Sequence, residues 1–168
     1  DGLKPMANRP PLYPNFLAAI RILAPGGSLW VEYILHGLLW VATGLLLVWI
    51  CLDRFHNRAA AILALLLYGF HFRLGVEAFV QRETLLFSFL LALLVYSWLR
   101  VEKLRFAAAS GLLVGLLYLA RPTGVIFLPA LAVALAAFPP DGSRRVAARA
   151  FAVVAGLALI TATPWHWH

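Results

Sequence analysis

The chain has 168 residues, of which 63% are hydrophobic and only 12% charged, with a mean hydropathy of +0.87. A soluble domain is about a quarter charged, and a single core of this size cannot hide so much apolar surface; the composition excludes a soluble globular domain and implies a chain dissolved in lipid. The formal charge of +7 does not indicate a nucleic-acid partner, because the 14 Lys and Arg fall in short gaps between apolar runs, not in a basic stripe interleaved with aromatics.

Residues 1–14 are polar and proline-rich, as expected of a segment at the membrane surface. Within them, Pro10, Pro11 and Pro14 argue against a regular helix and for an extended or turned chain. Arg9 stands immediately before that stiff turn. Its planar guanidinium can donate two parallel hydrogen bonds to a phosphate at headgroup depth. The plain alternative is an interfacial anchor beside proline punctuation. The next run, 15–24, is apolar but interrupted by Arg21, and it ends at Pro25-Gly26-Gly27. Ten residues make about 15 Å of helix, half a bilayer, so an interfacial or re-entrant helix is expected there.

Leu29 to Leu52 is the clearest span, with Glu32 and His36 as an i,i+4 pair on one face and Trp30 and Tyr33 suited to an aromatic belt. A second run goes from Ala59 to about Val76, a third from Thr84 to Leu99, a fourth from Phe106 to Ala120, a fifth from Gly124 to Phe138 and a sixth from Val146 to Thr163. Several hold only 14–16 residues, but snorkelling Arg and Lys at their ends can extend them to full crossings. The expected fold is all-α: a polytopic transmembrane helical bundle of about six spans plus a short interfacial helix. Residues 1–28 form the surface segment and 29–168 the bundle.

If the runs alternate, the gaps 53–58, 100–105 and 144–149 share one face and hold eight Lys and Arg, against six scattered on the other. The clustered eight mark the cytoplasmic side, which puts the proline turn, the 71–83 loop and Arg121 outside. Cys51 is the single cysteine, so no intrachain disulfide can form. The chain opens Asp-Gly-Leu-Lys, with neither an initiator Met nor a signal peptide, and is expected to be a piece or processed product of something longer. Gly111 and Gly115 fit the small-xxx-small pattern of close helix contact.

Ionised groups at membrane depth mark candidate chemistry, because each costs about 2.5–3.5 kcal/mol at a helix centre. Glu83 opens an apolar run, where the helix dipole alone could account for a carboxylate. Arg121-Pro122 divides two runs and reads equally well as anchor plus helix breaker. Glu32 with His36, and His166 with His168, are pairs without a third ligand, which is far from a coordination set. No nucleophilic triad, phosphate-cradling loop, dinucleotide fingerprint or CxxC is present.

Four landmarks appear in order: Arg9-Pro-Pro-Leu-Tyr-Pro14, Arg82-Glu-Thr-Leu-Leu-Phe87, Leu119-Ala-Arg-Pro-Thr-Gly124 and Thr163-Pro-Trp165. Together they resemble the bacterial GT-C glycosyltransferases of the protein O-mannosyltransferase and aminoarabinose-transferase type. The resemblance implies an integral protein of the bacterial plasma (inner) membrane that transfers a sugar from a polyprenyl-phosphate donor to an acceptor at the outer face. It also implies that Glu83 is the acceptor-side carboxylate, and that Arg9, Tyr13, Arg82 and Arg121 bind the donor. The chain departs from the family in lacking the upstream helix and acidic motif and in carrying His166-Trp167-His168 after Pro-Trp. It therefore resembles the central fragment of such an enzyme, inactive alone. Asn8 stands where some relatives carry a metal-binding Glu, so a divalent metal is admitted but not required. The rival expectation is a non-catalytic lipid-phosphate carrier or assembly subunit on the same scaffold. Membrane lipid and the polyprenyl-phosphate-linked sugar are the expected partners; the sugar and acceptor stay open.

Overall fold

The computed structural model describes residues 10–23, 29–71, 76 and 83–166. Seven α-helices form among them, with no strand. The first, α1 (Leu12–Leu23), begins inside the proline turn, with Asn15 N–H donating to Pro11 C=O at 3.1 Å. This corrects the expectation of a non-helical turn up to Pro14. Pro14 sits in the first turn, where backbone N–H groups have no intrahelical acceptor, so the missing donor costs nothing.

The second helix, α2 (Leu29–Phe55), is built inside out. Trp30, Ile34, Leu38, Val41, Leu45, Trp49 and Leu52 recur at steps of three and four and are exposed, while Glu32, His36 and Thr43 on the opposite face are buried. A helix in water would turn the apolar stripe inward. One that turns it outward is solvated by hydrocarbon, and its polar residues are sheltered against protein. A tight reversal follows at His56, whose φ of 47° lies in the left-handed region. Asn57 then caps α3 (Arg58–Gly69) by accepting from Ala60 N–H at 3.0 Å. Helix α3 ends well short of the expected Val76, its last turn closed by Phe70 N–H on Leu66 C=O.

The remaining helices are α4 (Glu83–Trp98), α5 (Leu104–Ala120), α6 (Phe127–Ala137), which follows a 3₁₀ turn over Pro122–Ile126, and α7 (Arg144–His166). They pack in the order α3, α2, α4, α5, α7, α6, with α1 lying against α2 and α5. Leu86, Leu90 and Leu94 of α4, Val114 and Leu117 of α5, and Val154 of α7 form the centre of the core.

Helices α5 and α7 make the most extensive contact, and glycine permits it. A Cβ on Gly111 would stand 2.7 Å from Val154 O, and one on Gly115 would stand 2.5 Å from Thr161 Cβ. The small-xxx-small pattern thus serves packing within one chain.

Among the described residues, two helices are long and apolar enough to cross a membrane, over Trp30–Phe55 and Arg144–Pro164. The other four apolar stretches, Arg58–Gly69, Glu83–Trp98, Leu104–Ala120 and Pro122–Ala137, are shorter. By length alone, then, two of the six expected spans meet the requirement.

Alternation of the helices gives the bundle two ends. At one, Asp53 at the end of α2 accepts from Arg100 Nη2 at 2.5 Å, Arg54 donates to Leu99 C=O, and the Arg100 guanidinium lies 4.0 Å over the Tyr96 ring. The opposite end gathers α1, the start of α2, the start of α4 and the end of α5.

Candidate functional site at the Arg121 end

Of the five residues expected to act on substrate, Tyr13, Glu83 and Arg121 fall among those described; Arg9 and Arg82 lie outside them. Local sequence fixes Arg121. Helix α5 stops at Ala120, and Arg121 takes an extended conformation (φ −147°, ψ 130°) because the following Pro122 disfavours αR for its predecessor. Its N–H still donates to Leu117 C=O at 2.9 Å, and its own C=O accepts from Gly124 N–H at 2.8 Å. The chain then folds straight back on α5. A Cβ on Gly124 would meet the Leu117 carbonyl carbon at 2.5 Å, so backbone approaches backbone where only glycine fits.

From this turn the Arg121 side chain reaches the first turn of α4. Nη2 donates to Thr84 Oγ1 at 2.8 Å, and Nε lies 3.5 Å from Glu83 Oε1. The guanidinium stands 5.5 Å from the centre of the Phe87 ring, which packs against Phe127. Glu83 and Arg121 are respectively 45% and 38% exposed along their side chains, so solvent can reach both groups.

Tyr13 approaches from α1. In the uncharged His36 ring, Nδ1 must donate to the Glu32 carbonyl, 2.7 Å away, because a carbonyl only accepts. Nε2 is then an acceptor, and the Tyr13 hydroxyl donates to it at 3.0 Å. Phe16 closes the cluster with its ring edge-on to the imidazole. Burial first, then the negative charges of Glu32 and Glu83, push the Tyr13 phenol up to about 12. The phenol keeps its proton at any ordinary pH and is a donor. Helix α1, which carries Tyr13, packs against α5, the helix that ends at Arg121.

The Glu32 carboxylate lies deeper, with its side chain 6% exposed. Oε1 accepts from Arg21 Nε at 2.9 Å, and Oε2 is buried without a hydrogen-bond partner. Among the described residues no three His, Cys, Asp or Glu side chains converge as a metal site. Glu32 and His36 do share a face, as their spacing implies, but the imidazole is committed to Glu32's own carbonyl and to Tyr13. His168 lies outside the described residues.

The model of the dolichyl-phosphate-mannose-protein mannosyltransferase family matches residues 8–168. The chain belongs to that family. It is a membrane glycosyltransferase family of GT-C type, in agreement with the inside-out α2. No match was found among curated proteins or among solved structures.

In this mannosyltransferase-family chain, sequence reasoning missed the residues that hold the site together. Thr84 passed as the first apolar-run residue, though a hydroxyl beside Glu83 is where an arginine at the same membrane depth finds an acceptor. Arg21 read only as an interruption of an apolar run. The signal available for His36 was its burial requirement: an imidazole one turn from a carboxylate inside an apolar span needs protein partners.

Proposed function

We propose that the chain is the central part of a glycosyltransferase that takes a sugar from a polyprenyl-phosphate donor and passes it to an acceptor at the outer face of the bacterial plasma membrane. The observation that carries the reading is Glu83 and Arg121 paired at 3.5 Å, half-exposed, at the bundle end where α1 packs against α5. Transfer breaks the bond between the anomeric carbon and the phosphate oxygen, and the departing phosphate keeps the electron pair. Arg121, with Arg9 and Arg82 from the neighbouring segments, supplies cationic donors for that developing charge. Tyr13 joins as a neutral donor by turning its O–H from His36 to the phosphate. Glu83 takes the proton of the attacking acceptor hydroxyl. Displacement of Arg121 onto phosphate would release Glu83 for the acceptor. About six helix crossings, with snorkelling ends, bring the reacting groups to headgroup depth and leave the polyprenyl tail in lipid.

The test is transfer from polyprenyl-phosphate-linked sugars by the purified full-length protein. Glu83→Gln is expected to lower kcat by about a hundredfold or more, the usual contribution of a general base. Arg121→Ala should lower kcat/KM for the donor. Unchanged turnover in both variants would overturn the assignment.

A further inference from the structure

Arg144, Arg145 and Arg149 open α7 at the Asp53 end of the bundle, and all three are exposed. Their neighbours at this end behave differently, since Arg54 and Arg100 are both engaged with Asp53. Among the described residues no carboxylate pairs with any of the three. The first turn of α7 also contains no acidic residue, so Arg144 and Arg145 face the positive end of the helix dipole, with Arg149 one turn further on.

Two apolar grooves flank the same stretch. One, about 420 Å³, runs between α6 and α7 over Leu135, Ala136 and Phe151, with Arg144 in its lining. The other, about 640 Å³, runs between α5 and α7 over Ala107, Val146 and Val153, with Arg149 in its lining. At 100° per residue Arg145 projects between the other two, on the ridge that separates the grooves. Glu102 also lines the second groove, next to the exposed Lys103 and Arg105.

We propose that this ridge binds an anionic diacyl phospholipid, its phosphodiester held by Arg144, Arg145 and Arg149 and its acyl chains lying one in each groove. Charge complementarity selects the headgroup, because a zwitterionic lipid would bring a second cation to a site already unbalanced by three. The paired shape selects a two-chain molecule over a free phosphate. The site lies at the end of the bundle opposite Arg121 and does not rest on the transferase reading. It also commits the Asp53 end to a leaflet that contains anionic lipid.

The experiment compares thermal unfolding of the full chain in phosphatidylcholine nanodiscs with and without phosphatidylglycerol, together with phosphatidylglycerol titration by native mass spectrometry. Wild type is expected to unfold at a higher temperature with phosphatidylglycerol present. Each of Arg144→Gln, Arg145→Gln and Arg149→Gln should weaken lipid binding by about fivefold. Ala148→Trp, which fills the first groove without touching charge, should also weaken it. Inorganic phosphate should give no rise. The proposal fails if the combined variant Arg58→Gln/Lys103→Gln/Arg105→Gln loses as much binding as the α7 triple variant, since that marks diffuse surface charge. It fails equally if phosphatidylcholine and phosphatidylglycerol stabilise alike, or if a second copy of the chain displaces the lipid from the ridge.

Discussion

The Tyr13 hydroxyl meets His36 Nε2 at 3.0 Å, joining α1 to α2 across 23 positions of sequence. Eight residues further along α1, Arg21 reaches Glu32, one turn before His36 on α2. The surface helix is thereby fastened at two points to a helix whose polar face is otherwise hidden from solvent. His36→Phe keeps the volume but removes the acceptor, and is expected to cost about 1–3 kcal/mol of stability. Tyr13→Phe should cost less, about 1 kcal/mol. In the double variant the losses should not add, and the coupling term measured by unfolding in detergent should reach about 0.5 kcal/mol or more.

The raised phenol of Tyr13 gives a pH dependence of definite sign. Its value is ordinarily 10.0 and about 12 in the folded chain, so the folded state binds the proton more tightly. That stabilisation is fully present below pH 10 and is lost as pH rises through 12. Wild type should therefore lose stability over this alkaline window more steeply than Tyr13→Phe. Equal slopes in thermal melts taken across the window would contradict the environment described for Tyr13.

Breaking the second fastening tests the buried carboxylate. Arg21→Ala leaves Glu32 charged in a site where Oε2 already has no partner, and should destabilise by about 1–3 kcal/mol. Glu32→Gln removes the charge together with the need for it, so its cost should be smaller. The order of the two variants in a denaturation series checks this.

The glycines separate into two groups that should respond oppositely to alanine. Gly111→Ala and Gly115→Ala drive a methyl into α7 and should each cost about 1–3 kcal/mol by overpacking. At Gly37 and Gly156 nothing lies within 4 Å of the added carbon. Alanine there should be neutral or stabilise by about 0.4–1 kcal/mol through the unfolded chain. Thermal midpoints of the four variants give the comparison.

Much of the architecture is legible because charges interrupt the apolar runs where helices end. Glu83 opens α4, Arg121-Pro122 ends α5, and Asn57 caps α3 within the short gap after α2. Helix α1 starts earlier than its prolines suggest, because Pro14 occupies a turn whose N–H groups need no partner. The site was only partly readable. Glu83 and Arg121 stand out as ions at membrane depth, but their pairing, and that of Arg121 with Thr84 across 37 positions, arises from α4 packing on α5. Periodicity shows that Glu32 and His36 share a face and says nothing of the helix that lies on it.

The bundle also has two heights. At 1.5 Å per residue, the 27 residues of α2 stretch about 40 Å, whereas the 16 of α4 and 17 of α5 cover only about 24–26 Å. Hydrocarbon about 30 Å thick overtops the shorter walls, and lipid beside them must dip to match. Glu83 and Arg121 sit on the rim of those shorter walls, so under the proposed transferase reading a bulky hydrophilic headgroup would travel less far through oil to arrive there.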